Sequence, residues 1–166
     1  MTFDYEEYKA QQDRRAKKFL SPLKDILAAG NLAYVTVKYD GGGDSGQFNF
    51  GSCKSSNEGS QEFQGKEAVA QLTQKVNTLG CSQHLDTTTQ EWVETSTTWE
   101  VEMWEWFVDA AHFAVSLWHA GWENNEGGFG TVYFTEEGIR VMHSENVITT
   151  EEYRHVLPVA ELTDGG

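Results

Sequence analysis

Residues 99–121 read WEVEMWEWFVDAAHFAVSLWHAG, from Trp99 to Gly121. Glu102, Glu105, Asp109, His112, Ser116 and His119 recur at steps of three and four, and nearly every position between them is apolar. That spacing puts the polar side chains on one stripe of a helix and leaves the rest of its circumference for burial. The stretch is therefore expected to form a central, largely buried, Trp-rich helix. Thr97 followed three residues later by Glu100 fits a capping box, and Gly121 stands where a helix needs a left-handed terminal residue. Acids in the first half, with His112 and His119 in the second, also suit the helix dipole.

Moving towards the N-terminus, Asp86 to Thr98 (DTTTQEWVETSTT) suits a strand or an extended connection, with Trp92 expected as its anchor to the core. Residues 62–79 carry Val69, Leu72, Val76 and Leu79 at helical spacing, which predicts a helix closed by Gly80. Residues 51–60, GSCKSSNEGS, predict a surface loop. LAYVTVKY at 32–39 is β-branched and aromatic, and Phe48 and Phe50 lie two apart, so a hairpin is expected across the Gly-rich passage 40–46. Residues 3–20 predict a helix with acids first and bases last; Ser21 and Pro22 then restart the chain as N-cap and first residue of a second helix, ended by Gly30.

Towards the C-terminus, GWENNEGGFG predicts a polar loop, and TVYF, the turn TEEG and IRVMH predict a second hairpin. VITTEEYRHVL suits one more strand or a short helix starting at Thr150, and Pro158 ends either. Helices and hairpins come in blocks, with no strand-helix-strand rhythm. The expected class is α+β: a mainly antiparallel sheet of two or more hairpins packed against the central helix, with helices over residues 1–30 and one domain over 1–166.

The formal net charge is −14, and it is unevenly placed. Residues 1–30 hold six Lys or Arg against five acids, leaving six bases against 21 acids in the remainder. Such a field repels nucleic acid and anionic membrane and attracts basic protein surfaces or divalent cations, besides keeping the chain soluble. Cys53 and Cys81 lack ligand-like spacing, so neither a disulfide framework nor a zinc site is indicated, and a reducing, cytoplasmic setting is expected. The first residues have no basic flank and no apolar segment of signal-peptide type.

Two acidic Gly loops are candidates for chemistry. Asp40 and Asp44 lie in DGGGDSG, and Glu123 and Glu126 in ENNEGG. Carboxylates and amide carbonyls on loops are what Ca or Mg requires, although neither loop has EF-hand spacing and turn geometry alone also selects these residues. Asp109 and His112 have the three-residue offset of carboxylate-histidine motifs, but no second such set is found. His112 and His119 are seven residues apart, roughly 10 Å along a helix, too far for one ion. Residues 86–166 hold sixteen acids against Arg140 and Arg154. Acids at helical spacing rise roughly 4.5–6 Å apart and could face the Lys and Arg rows of a nucleic-acid-binding protein, as a phosphate backbone does. No catalytic residue is assigned: Ser45 in GDSGQ lacks the flanks of a hydrolase elbow, and the terminal Gly-Gly is read as a frayed end.

The segments AYVTVKYDGGGDSGQ and LWHAGWENNEGGFGTVYFTEEGIRVMH together resemble a family of small uncharacterised bacterial and mobile-element proteins. Its members pair an Asp-Gly-Ser-Gly type loop with a Gly-Trp-Glu-Asn-Asn-Glu-Gly loop before a terminal hairpin. The resemblance implies an α+β domain that travels with plasmids or phages; it carries no assigned activity. It marks Asp40, Asp44, Trp122, Glu123, Asn124 and Glu126 as positions to test. The functional expectation is a non-enzymatic acidic protein that binds a basic, nucleic-acid-binding protein surface through Glu102, Glu105, Asp109, Trp122, Glu123, Asn124 and Glu126. Direct binding to nucleic acid or membrane is not expected. The alternative is a divalent-metal-binding or metal-dependent hydrolytic domain, with Asp40, Asp44, Glu123 and Glu126 as ligands and His112 or His119 as proton carrier.

Overall fold

The chain begins with two helices, α1 (Tyr5–Leu20) and α2 (Leu23–Ala29), and continues into a long hairpin, β1 (Leu32–Gly42) and β2 (Ser45–Ser55). A short strand β3 (Glu62–Gln64), helix α3 (Gly65–Gln71) and a second long hairpin, β4 (Lys75–Asp86) and β5 (Glu91–Glu102), lead to α4 (Met103–Trp118). Strands β6 (Gly128–Thr135), β7 (Gly138–Glu145) and β8 (Glu151–Pro158) follow, and a 3-10 turn closes the described chain at Val159–Glu161. The computed structural model describes residues 4–42, 45–119, 127–145 and 151–162. The loop carrying Asp44 and the loop carrying Trp122, Glu123, Asn124 and Glu126 lie outside these residues, as does Gly121.

The α+β class read from the sequence is the class observed. One six-stranded sheet has the order β3-β2-β1-β6-β7-β8, every neighbour antiparallel, and β4 and β5 form a separate two-stranded ribbon. Alternation gives the large sheet two unlike faces. Val35, Val37, Tyr39, Val132, Phe134, Ile139, Val141, His143 and Leu157 are buried on one of them. Helix α4 lies against that face with Met103, Trp106, Phe107, Ala110, Ala111, Ala114 and Val115 buried. Its Phe107 ring meets Phe134 edge-on at 5.3 Å, and Trp106 stacks on Phe19 of α1 at 5.6 Å. Burying each such aromatic side chain stabilises the fold by about 1.5–3 kcal/mol. No described helix is long and apolar enough to cross a membrane.

Helix α4 is shorter than its sequence suggests. Trp99 to Glu102 belong to β5, and the helix starts at Met103. The capping box expected at Thr97 and Glu100 is made instead by Glu102 and Glu105: the Glu102 N–H donates to Glu105 Oε2 at 3.1 Å, and the Glu102 side chain caps the first turn. Two further amides at this end are satisfied from outside, Met103 N by the Gln74 carbonyl at 2.8 Å and Trp104 N by the Leu72 carbonyl at 3.1 Å.

Those two contacts explain the largest correction. The helix expected over residues 62–79 is β3, a seven-residue α3 and the start of β4. Val69 and Leu72 belong to α3 and its cap, whereas Val76 and Leu79 lie on β4 in register with Val101 and Thr98 of β5. A chain that continued helically to Leu79 would spend on its own ladder the carbonyls that cap α4, and would forgo the pairing of Lys75 to Leu79 with β5. Gly80 accordingly closes no helix; it is a strand residue lying under the Trp99 indole, 2.5 Å from where a Cβ would be. Residues 51–55, expected as loop, complete β2. Pro22 is itself the cap position of α2, while the Ser21 hydroxyl turns back to donate to the Lys18 carbonyl at 2.8 Å and closes α1.

Candidate functional site

The β4–β5 ribbon is a sheet of its own, separate from the six-stranded one. Thr and Val with Trp92 and Trp99 make β5 extended by preference. Asp86 turns the chain: its Oδ1 accepts from the amides of Thr88 at 2.8 Å and Thr89 at 3.3 Å, and its carbonyl accepts from Gln90 N at 2.8 Å. At its base, Thr78 is buried and Val76 and Val101 pack on the core. In its middle, α1 holds it through Arg15 Nε to Glu94 at 3.7 Å and Lys18 Nζ to Ser96 Oγ at 3.4 Å. Between α1, α4 and the ribbon a hollow of about 310 Å³ is lined by Arg15, Phe19, Gly80, Trp99, Asp109 and Phe113.

Beyond those supports the ribbon projects. Trp92, expected as a core anchor, is 67% exposed. Leu85, directly opposite it, is 42% exposed, and Trp99 is 51% exposed. Acids neighbour the apolar pair along the two strands. Asp86 and Glu91 face each other one register position further out, and Glu94 lies two residues along β5. Like charges directly opposite cost stability, so the outer end of the ribbon holds both charge and apolar area that folding does not reward. An aromatic anchor with a charged rim is the composition of a protein-binding patch.

The sequence-derived acidic stripe divides on the structure. Glu102 and Glu105 are engaged at the α4 cap, where Trp104 Nε1 also donates to Glu102 Oε2 at 2.7 Å. Asp109 is exposed beside the Arg15 hollow; partial burial of its carboxylate and the nearby Glu105 raise its pKa above the ordinary value. Trp122, Glu123, Asn124 and Glu126 fall outside the described residues. Of the proposed metal ligands, only Asp40 is described, exposed on β1 opposite Gln47 and Phe129. The described flanks of the two Gly loops do adjoin, since Gly41 pairs with both Gly46 and Gly128. Among the described residues, no group of three or more His, Cys, Asp or Glu side chains is arranged to hold a metal ion.

A family of unknown function, DUF6878, has a model that matches residues 16–157. The chain belongs to that family. No curated protein and no solved structure matches it. The match runs from the last turns of α1 to the penultimate residues of β8, so the six-stranded sheet, α4 and the ribbon all lie within it.

Near the Gly-loop end of the sheet lies a cluster of imidazoles and phenols of which the sequence singles out only His119. Tyr39, Gly130 and His143 occupy one row across β1, β6 and β7. Because Gly130 has no side chain, Tyr39 Oη reaches over it to His143 Nδ1, 2.5 Å away. His119, just past α4, stacks on His143 with ring centroids 3.8 Å apart, and His155 of β8 meets His119 edge-on at 4.8 Å while stacking on Trp118 at 5.1 Å. Burial, reinforced by His155, holds His143 below the usual imidazole pKa, and burial pushes the Tyr39 phenol up. His112, the other histidine of the stripe, is exposed and packs on Phe48 at 5.2 Å, away from this group. The signal for His143 and His155 was alternation: each lies two residues from a buried apolar residue, Val141 and Leu157 respectively.

Proposed function

We propose that this protein is a non-enzymatic, acidic interaction module, carried by a mobile element, that docks on a basic surface of a nucleic-acid-binding protein. The observation that carries this reading is the outer end of the ribbon, where exposed Trp92 and Leu85 are paired and Asp86 and Glu91 are paired one register position further out. The apolar pair supplies the anchor and the acids supply steering and register against Lys and Arg rows. The net charge of −14 extends the same field and disfavours nucleic acid itself as the partner. The test is affinity capture from a host lysate with the intact chain and with Trp92→Ser, at low salt and near 1 M salt, where screening shortens to about 3 Å. A basic partner retained at low salt, released at high salt and lost with Trp92→Ser supports the proposal. Recovery of no basic partner in any condition contradicts it.

The adjoining flanks of the two Gly loops favour a second reading, in which Asp40, Asp44, Glu123 and Glu126 bind Ca or Mg and His119 carries a proton. A ligand present at about 100 times its Kd stabilises a fold by about 2.7 kcal/mol. Thermal unfolding with Ca, Mg or Mn that shows no upward shift removes that reading.

A further inference from the structure

We propose that the helix-free face of the six-stranded sheet binds a small phosphorylated, hydroxyl-bearing molecule through Lys38, Arg140, Arg154 and Thr131, with the Thr36–Ser52 hydroxyl pair. The register sets these residues in rows. Lys38, Thr131, Met142 and Arg154 lie side by side across β1, β6, β7 and β8, and the adjacent row is Ser52, Thr36, Tyr133, Arg140 and Val156. These side chains alternate with the buried core residues and so project from the opposite face. A hollow of about 490 Å³ lies over them, lined by Thr36, Lys38, Ser52, Thr131, Tyr133 and Arg140. That volume is within the usual range of about 300–1,000 Å³ for small-molecule sites. A second hollow of about 170 Å³ shares Tyr133 and Arg140 with it and adds Arg154.

Arg140 is the residue that points to an anion. Its guanidinium carbon sits 4.5 Å above the Tyr133 ring, and its Nε is buried with no hydrogen-bond partner among the described residues. A buried donor left unmade costs about 1–3 kcal/mol, which an accepting oxyanion would recover, and the planar fork suits phosphate. None of Lys38, Lys54, Arg140 and Arg154 forms an ion pair among the described residues, although acids outnumber bases 26 to 12 in the chain. Two carboxylates line these hollows beside the cations, Glu62 the larger and Glu137 the smaller. Glu62, on the outer strand β3, accepts from Tyr34 Oη and Gln64 Nε2, and these bonds with nearby Lys54 hold its pKa down. Asp40 and Glu152 belong to the row at the Gly-loop end. Lys38, Arg140 and Arg154 thus set three positive charges against these two carboxylates on one face of a strongly negative molecule. The surrounding field opposes a polyanion, so the occupant is a compact phosphate ester, and the hydroxyls of Thr36, Ser52 and Thr131 supply donors and acceptors for its sugar-like part.

The test uses the full chain, labelled with ¹⁵N, titrated separately with inorganic phosphate, ribose 5-phosphate and ribose to about 10 mM, beyond the millimolar affinities of weak sites. The expected result is amide shifts on Lys38, Thr131, Tyr133 and Arg140, with ribose 5-phosphate binding about tenfold tighter than phosphate and ribose giving none. Arg140→Met should weaken binding about tenfold or more, Arg140→Lys less, and Lys38→Met, at an exposed position that the fold does not need, also about tenfold. Absence of shifts, shifts confined to the basic residues of α1 and α2, equal affinity for phosphate and its sugar ester, or undiminished binding by Lys38→Met would each overturn the proposal.

Discussion

His143 occupies a position that the strand pattern reserves for an apolar side chain, and its chemistry follows from that. It is buried, bonded to Tyr39 and stacked on His119, with a pKa below the ordinary imidazole value. The unfolded chain therefore binds this proton more readily than the folded one. The contribution of neutral His143 to stability is present above the unfolded value near 6.5 and is lost as pH falls below it. Thermal unfolding between pH 7.5 and 5.5 should show the melting temperature falling with pH, and the fall should be shallower in His143→Phe. Gly130 is the companion residue: a Cβ there would lie 2.0 Å from the Met142 carbonyl and 2.8 Å from Tyr39 Oη. Gly130→Ala should destabilise by about 3 kcal/mol or prevent folding, measured by denaturant unfolding, because backbone cannot step aside. Gly128 is similarly crowded, a Cβ there lying 2.5 Å from the His143 ring. Alternation around Val141 made the inward face of His143 legible in the sequence, but its partners belong to β1, the end of α4 and β8, and only tertiary pairing joins them.

At the scale of elements, both hairpins of the large sheet, the two N-terminal helices and the final strand were legible, because each has a hydrophobic period and a turn or proline that ends it. The ribbon was not. Val69, Leu72, Val76 and Leu79 fit a helical face, and nothing local says that the Leu72 and Gln74 carbonyls are wanted by the first amides of α4. Trp92 is the other departure: tryptophan is usually buried, and this one is 67% exposed on the ribbon. The same junction gives a test of what the acids do. Glu105→Ala removes half of the capping box and should cost about 1 kcal/mol, or about 2–4 °C in melting temperature for a chain of this size. Glu91→Gln, at the outer end of the ribbon opposite Asp86, should stay within about 0.5 kcal/mol or gain slightly, since it relieves a like-charge pair. Trp92→Ser should likewise leave the unfolding free energy within about 0.5 kcal/mol while abolishing partner binding.

For the whole molecule, the charge imbalance read from composition acquires a geography. Exposed Trp92 and Trp99 lie on the ribbon with Asp86 and Glu91 at its outer end, and Lys38, Arg140 and Arg154, which form no ion pair among the described residues, sit together on the bare face of the sheet. Three of the four metal ligands and four of the seven interaction residues named from the sequence lie outside the described residues, so the geometry speaks for the ribbon and for Asp40, Glu102, Glu105 and Asp109. Family membership covers both surfaces and assigns work to neither. Docking through the ribbon is the central claim, and it is tested most directly by placing a photo-crosslinking amino acid at position 92 in the intact chain in its host, with position 58, exposed beyond β2, as the control. The account predicts adducts from position 92 to a protein with a basic surface, absent from position 58 and suppressed when lysates are irradiated near 1 M salt. Adducts no different between the two positions, or a position-92 adduct to an acidic partner that salt leaves unchanged, would contradict it.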